Sequence, residues 1–213
     1  MIDPKTVTNY NRTPAELQEW LLYCICVAGK RSEIETRKLN SWLDDLNFRL
    51  EGIRTADQID QILDMPFNFI REQLKSNELA SQLKKHRISP YQSRYNSFTD
   101  VVRLLPDDLS KVTVDELQAV RGIGTKTSRF FLTHSREDFD EPVLDTHILR
   151  FLRDMGHNVP SVTPQSPKKY AQVAEIFKSY ARSVNKTVAE LDLEVWKSFS
   201  KSVTDHIAEY SST

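Results

Sequence analysis

The chain has 213 residues, with 29 Lys and Arg against 30 Asp and Glu for a formal net charge of -1, so it can hold one large domain or two small ones, each with its own core. That balance excludes a uniformly basic nucleic-acid binder, and any contact with phosphates must come from a local basic surface. The two cysteines, Cys24 and Cys26, stand one residue apart in an apolar run, which excludes a disulfide framework, a zinc site or an iron-sulfur cluster and leaves them as small buried hydrophobes.

The start Met1-Ile2-Asp3-Pro4 carries no charged-then-apolar leader, and no stretch approaches the roughly 18 apolar residues of a membrane span. An intracellular, soluble monomer without membrane contact is the expectation. Scarce glycine, 5 in all, and frequent capping signals predict an all-α protein. Thr13-Pro14-Ala15-Glu16 combines a capping box with Pro in the first turn and opens a helix that stops at Gly29. Ser32-Glu33-Ile34-Glu35 and Thr55-Ala56-Asp57-Gln58 are further boxes. A helical stretch follows Pro66 to about Lys85, and another runs from Ser89-Pro90 through Leu105. Thr113-Val114-Asp115-Glu116 opens a short helix and a second follows Gly124. Later starts sit at Asp145, at Ser166-Pro167 and at Thr187. The Pro- and Ser-rich piece from Gly156 to Gln165 and the acidic loop Glu137 to Pro142 are the candidate seams.

Leu117 to Thr127 is the most informative run. Glycines two apart, Gly122 and Gly124, permit positive φ and a close approach of backbone to a ligand. The amides that open the next helix lack intrahelical partners, and the helix dipole favours an anion there, so Arg121, Gly122, Gly124, Thr125 and Thr127 are candidate phosphate contacts. A plain tight turn between helices would also use Gly-Ile-Gly. The preceding box, the apolar Val120 and Ile123, and Thr125-Lys126-Thr127 favour the phosphate-gripping form.

Val120-Arg121-Gly122-Ile123-Gly124-Thr125-Lys126-Thr127, followed by Pro142-Val143-Leu144-Asp145-Thr146-His147-Ile148, resembles the helix-hairpin-helix, Gly/Pro-rich, Asp signature of the endonuclease III and 8-oxoguanine glycosylase superfamily. The match covers Glu116 to Arg150. Lys126 and Asp145 stand nineteen positions apart, as in that superfamily. The resemblance implies a two-lobed helical fold, with residues 31–139 as a barrel containing the hairpin at about 114–134. Residues 1–30 and 140–213 would form the second lobe, and the active site would lie in the cleft between the lobes. It also implies a monovalent cation, Na+ or K+, held by the backbone carbonyls of Gln118, Val120 and Ile123. Arg121 stands where the superfamily usually has Pro. The cluster-ligating cysteines are absent, so the chain resembles the cluster-free branches.

By this resemblance Lys126 is the attacking amine and Asp145 the carboxylate that stabilises positive charge on the sugar. A cation is disfavoured at a helix N-terminus, so Lys126 calls for a reason. Partial burial, the dipole and the neighbours Arg121 and Arg129 would favour its neutral form. Asp145 is also a good N-cap, a role that would account for it unaided. His147 would lie near the same site, although a first-turn histidine needs no function. Lys30 and Arg31 form a basic turn, and Lys85 belongs to the run Lys84-Lys85-His86-Arg87; both clusters are candidate DNA contacts, with simple complementation of helix dipoles as the bland account.

The expected activity is excision of an oxidised base from damaged double-stranded DNA through a lysine Schiff base and β-elimination, with 8-oxoguanine favoured. The target nucleotide must leave the stack to be reached. The ending Leu191 to Trp196 resembles that of cluster-free 8-oxoguanine glycosylases, although core packing produces the same pattern. Two alternatives stay open: a glycosylase for oxidised pyrimidines, and a non-catalytic DNA-binding module in which Lys126 is one more phosphate contact.

Overall fold

The computed structural model describes residues 2–3, 6–50 and 65–210, with the side chains of 46–50 and 200–210 left aside. The capping box expected at 55–58 lies outside the described residues. Among the described residues there are ten helices and no strand. In chain order they are α1 (Pro14–Val27), α2 (Ser32–Leu50), α3 (Pro66–Lys75), α4 (Leu79–Lys85) and α5 (Tyr91–Leu104), then α6 (Val114–Ala119), α7 (Thr125–Thr133), α8 (Thr146–Asp154), α9 (Pro167–Ser183) and α10 (Val188–Tyr210). No helix among the described residues is long and apolar enough to cross a membrane.

The chain divides into two compact units, Met1–Arg136 and Glu137–Thr213. The boundary falls in the acidic loop expected as a seam. In the first unit α1 is central: Trp20 through Cys26 are all buried. A helix that is apolar all round must be surrounded, and α1 packs on α2, α3, α5 and α7. Trp20 Nε1 donates to the carbonyl of Phe131 at 3.0 Å, and the Trp20 ring lies 5.2 Å from that of Phe130. Residues 14–27 therefore pack with the helices of the hairpin-bearing unit. Buried Gln18 accepts from the amide of Phe67 at 2.8 Å and donates to the carbonyl of Asp107 at 2.8 Å. It thus supplies the cap that Met65, at the N-cap of α3, has no side chain to give.

Three expected boundaries move. Thr13 and Thr113 form the expected capping boxes, but Ser32 is already the first residue of α2, and its carbonyl receives the Thr36 hydroxyl at 2.8 Å. The helix expected from Pro66 to Lys85 is two, divided where Asn77 adopts φ 58, a left-handed conformation that asparagine tolerates better than most residues. Pro90 serves as the N-cap of α5, which starts one residue later.

In the second unit α8, α9 and α10 enclose Leu144, Ile148, Leu149, Leu152, Tyr170, Val173, Phe177, Leu191 and Val195. The Tyr170 hydroxyl donates to the carbonyl of Pro142 at 2.6 Å and accepts from the amide of Leu144 at 3.2 Å. Thr163 Oγ1 donates to the carbonyl of Leu144 at 2.7 Å. These bonds fix the extended segment that delivers Asp145 to the start of α8.

Candidate nucleic-acid interface

α6 and α7 form the helix pair of the hairpin, opened by the Thr113–Glu116 box. The amide of Ile123 donates to the carbonyl of Val120 at 3.1 Å, and Gly122 adopts φ 87. Val120 to Ile123 is therefore a turn whose third residue needs left-handed backbone, as in type II. Val120 and Ile123 are buried and pin it from beneath. A Cβ on Gly122 would stand 2.7 Å from Ser97 Oγ, so glycine is demanded twice here. Gly124 differs. Its φ of -97 is one any residue adopts, and a Cβ there would meet nothing within 4 Å.

Gly124 is the N-cap of α7 and offers no side-chain cap. The first-turn amides of Thr125, Lys126 and Thr127 thus gain no bond from the cap residue, which is the arrangement an anion can complete. Lys126 occupies the second position of α7 and is exposed. The expected partial burial does not occur, because the inward face of α7 is filled by Thr127, Ser128, Phe131 and Leu132. Thr127 is buried, which leaves its backbone amide, and not its hydroxyl, as the group to meet a phosphate. Thr125 is half-buried in the first turn. Gln118 Nε2 donates to Ser128 Oγ at 3.2 Å and ties α6 to α7.

Arg121 departs furthest from expectation. Its Nε and Nη2 donate to Asp100 Oδ2 and Oδ1 at 2.6 and 2.7 Å, and its backbone amide donates to Oδ2 at 3.2 Å. Ser97 Oγ donates to the Arg121 carbonyl at 2.6 Å. The hydrogen bonds from Arg121 hold the buried Asp100 carboxyl below its usual range. Arg121 is thus a partnered cation and not a spare charge. Neither Asp100 nor Ser97 was singled out from sequence, since no local pattern links α5 to a turn twenty residues later.

The other basic candidates in this unit are engaged too. Lys30 Nζ donates to the carbonyl of Ser89 and lies 3.6 Å from the buried Glu35 carboxylate. Lys85 pairs with Asp45, whose carboxyl is held low first by that bond and then by His86, 3.0 Å away. Arg31 is exposed just ahead of α2. The carbonyl of Val120, one of three expected to face a cation, already accepts the turn hydrogen bond from Ile123. Among the described residues no group of three or more His, Cys, Asp or Glu could hold a metal ion. Cys24 and Cys26 are buried free thiols, and burial pushes the Cys26 thiol up to about 12.

Asp145 belongs to the second unit. One oxygen, Oδ1, accepts from the amides of His147 and Ile148 at 2.8 and 3.0 Å, so the N-cap role is real. His147 is half-buried and its ring stacks on Phe199 with centroids 5.6 Å apart, a packing role sufficient to explain it.

No family model matches the chain. The chain is 29% identical over 153 residues, 70% of its own length and 72% of the relative's, to the 8-oxoguanine DNA glycosylase/AP lyase of Methanocaldococcus jannaschii. It is 27% identical over 113 residues to the protein of the same name from Saccharolobus islandicus and spans about half, 54%, of that relative's length. The crystal structure of the M. jannaschii enzyme superposes with a TM-score of 0.61 at 20% identity, covering 90% of this chain and 82% of that one. The chain shares its helical fold with these 8-oxoguanine DNA glycosylase structures. A second solved structure, the M. jannaschii enzyme in complex with a 15mer DNA containing 8-oxoguanine, superposes with a TM-score of 0.57 at 22% identity over 87% of this chain and 81% of that one. Within this fold, the hairpin and the Asp145 cap are the elements the sequence motifs mark.

Proposed function

We propose that the chain is a bifunctional DNA glycosylase and AP lyase that removes 8-oxoguanine from duplex DNA. The observation that carries this reading is Lys126, an amine exposed at the second position of a helix whose N-cap supplies no side-chain bond. A cation is disfavoured there by the dipole, and a bound phosphate at the adjacent amides would offset that cost. The names of the relatives, 8-oxoguanine DNA glycosylase/AP lyase, support the choice of base.

The amides of Gly124, Thr125 and Thr127 hold a backbone phosphate and so set the position of the strand. Lys126 Nζ attacks C1′ of the damaged nucleotide. The N-glycosidic bond breaks, and its electron pair leaves with the base, which takes up a proton. The amine then loses its proton and the sugar ring opens to an imine. Loss of a proton from C2′ expels the 3′-phosphate, which is the lyase step. Asp145 stabilises the positive charge that grows on the sugar, through the carboxylate that also caps α8. A monovalent cation at the carbonyls of Gln118, Val120 and Ile123 would strengthen the hold on phosphate by charge alone. Arg31 and Lys85 lie on the same compact unit and would contact phosphates further along the duplex, Lys85 by exchanging its exposed pair with Asp45.

A panel of duplexes, each with one lesion, tests the reading by base release and strand cleavage under single-turnover conditions. Fastest release from the 8-oxoguanine duplex, with coupled cleavage, is the expected result. Faster release of thymine glycol or 5-hydroxycytosine would transfer the assignment to oxidised pyrimidines, and binding without release would leave a DNA-binding module.

A further inference from the structure

We infer that Asp100 is a positioning residue for the hairpin, an acidic side chain that strengthens the grip on DNA by setting the turn that presents the phosphate-binding amides. This inference rests on the DNA-binding reading of the hairpin. A carboxylate close to a polyanion's contact point would by Coulomb's law alone weaken binding, so the sign of its effect separates the two roles.

The geometry supports the positioning role in three ways. Arg121 is the second residue of the Val120–Ile123 turn, and Asp100 holds it through both the guanidinium and the main-chain amide, at 2.6, 2.7 and 3.2 Å. Bidentate guanidinium–carboxylate pairing fixes orientation as well as distance. Ser97, one helical turn before Asp100 on α5, takes the other side of the same residue by donating to its carbonyl at 2.6 Å. Ser97 Oγ is also the atom that a side chain at 122 would strike, 2.7 Å from its Cβ. Asp100 and Ser97 are both buried on α5, a long helix packed within the unit, so the turn is held by a rigid element. The position it holds is the one proline favours in such turns, because a fixed φ there prepares the left-handed residue that follows. Val120 is already extended, φ -76 and ψ 125, as a residue before proline must be. Asp100 and Arg121 therefore achieve by hydrogen bonds what a proline ring achieves covalently.

The test uses the full chain with D100N, R121P and the double variant, and it reads duplex affinity at fixed salt together with hydrogen exchange of the hairpin amides in the free protein. D100N is expected to bind undamaged duplex roughly tenfold more weakly, the loss a charge-assisted hydrogen bond commands, with faster exchange at 122–124 and a smaller change in the single-turnover rate. Adding R121P, which fixes φ at the second turn position without any side-chain clamp, is expected to restore most of the affinity. Affinity that is unchanged or tighter in D100N overturns the inference, and so does a weakening that R121P fails to recover. Wild-type protein that binds no duplex, while D100N still exchanges faster, contradicts the DNA-binding reading and not the clamp on the turn.

Discussion

Gly122 and Gly124 stand two residues apart and answer to different constraints. G122A places a Cβ at φ 87 and against Ser97 Oγ, and is expected to cost about 1–2 kcal/mol by denaturant melting. G124A has ordinary backbone and open space around the new atom, so its melting should stay within about 0.5 kcal/mol of the parent. Its duplex affinity should nevertheless fall, because the new methyl occupies the approach to the first-turn amides of α7. Equal binding by G124A would remove the phosphate from that position. Asp145→Asn keeps an N-cap acceptor and removes the charge, so the loss of turnover should exceed the loss of stability; a variant with full turnover and a lower melting temperature would reduce Asp145 to a cap. Asp100 titrates below the usual carboxylate value. Its pair with Arg121 thus contributes fully above the unfolded value near pH 4 and is lost as pH falls through the lower folded one. The melting temperatures of the parent and D100N should therefore converge only in acid; convergence already at pH 6 would contradict the pairing.

At the scale of elements, the capping chemistry was legible and the long-range capture of side chains was not. Thr13, Thr113, Asp145, Ser166 and Thr187 all cap the helices they were expected to open, since those signals act within four residues. Asn77 ended a helix through a left-handed conformation that composition does not announce. Arg121 and Lys30 read as spare cations because their partners, Asp100 and the Ser89 carbonyl, lie 21 and 59 residues away in the chain. The same blindness hid the place of α1. Its indole donates to α7, so Trp20→Phe removes one donor from the Phe131 carbonyl, which keeps its bond from the Ser135 hydroxyl, and should cost about 0.5–1.5 kcal/mol. A cost near zero would mean that water or another donor takes its place.

At the scale of the whole molecule, the net charge of -1 means that the proposed binding of DNA must draw on backbone amides and a few surface cations rather than on overall charge. Affinity for undamaged duplex should still fall with salt, since each neutralised phosphate releases counterions. The two motifs read from sequence, the hairpin and the Asp145 cap, lie in separate compact units; each was legible alone because each is local, while the packing of α1 on α7 is one that no motif encodes. The proposed activity turns on Lys126 attacking the sugar of an 8-oxoguanine nucleotide. Borohydride trapping on a duplex carrying one 8-oxoguanine tests it most directly: the parent protein should become covalently attached and Lys126→Gln should not, while still binding the duplex. Undiminished trapping by Lys126→Gln, or none by the parent, would contradict the account.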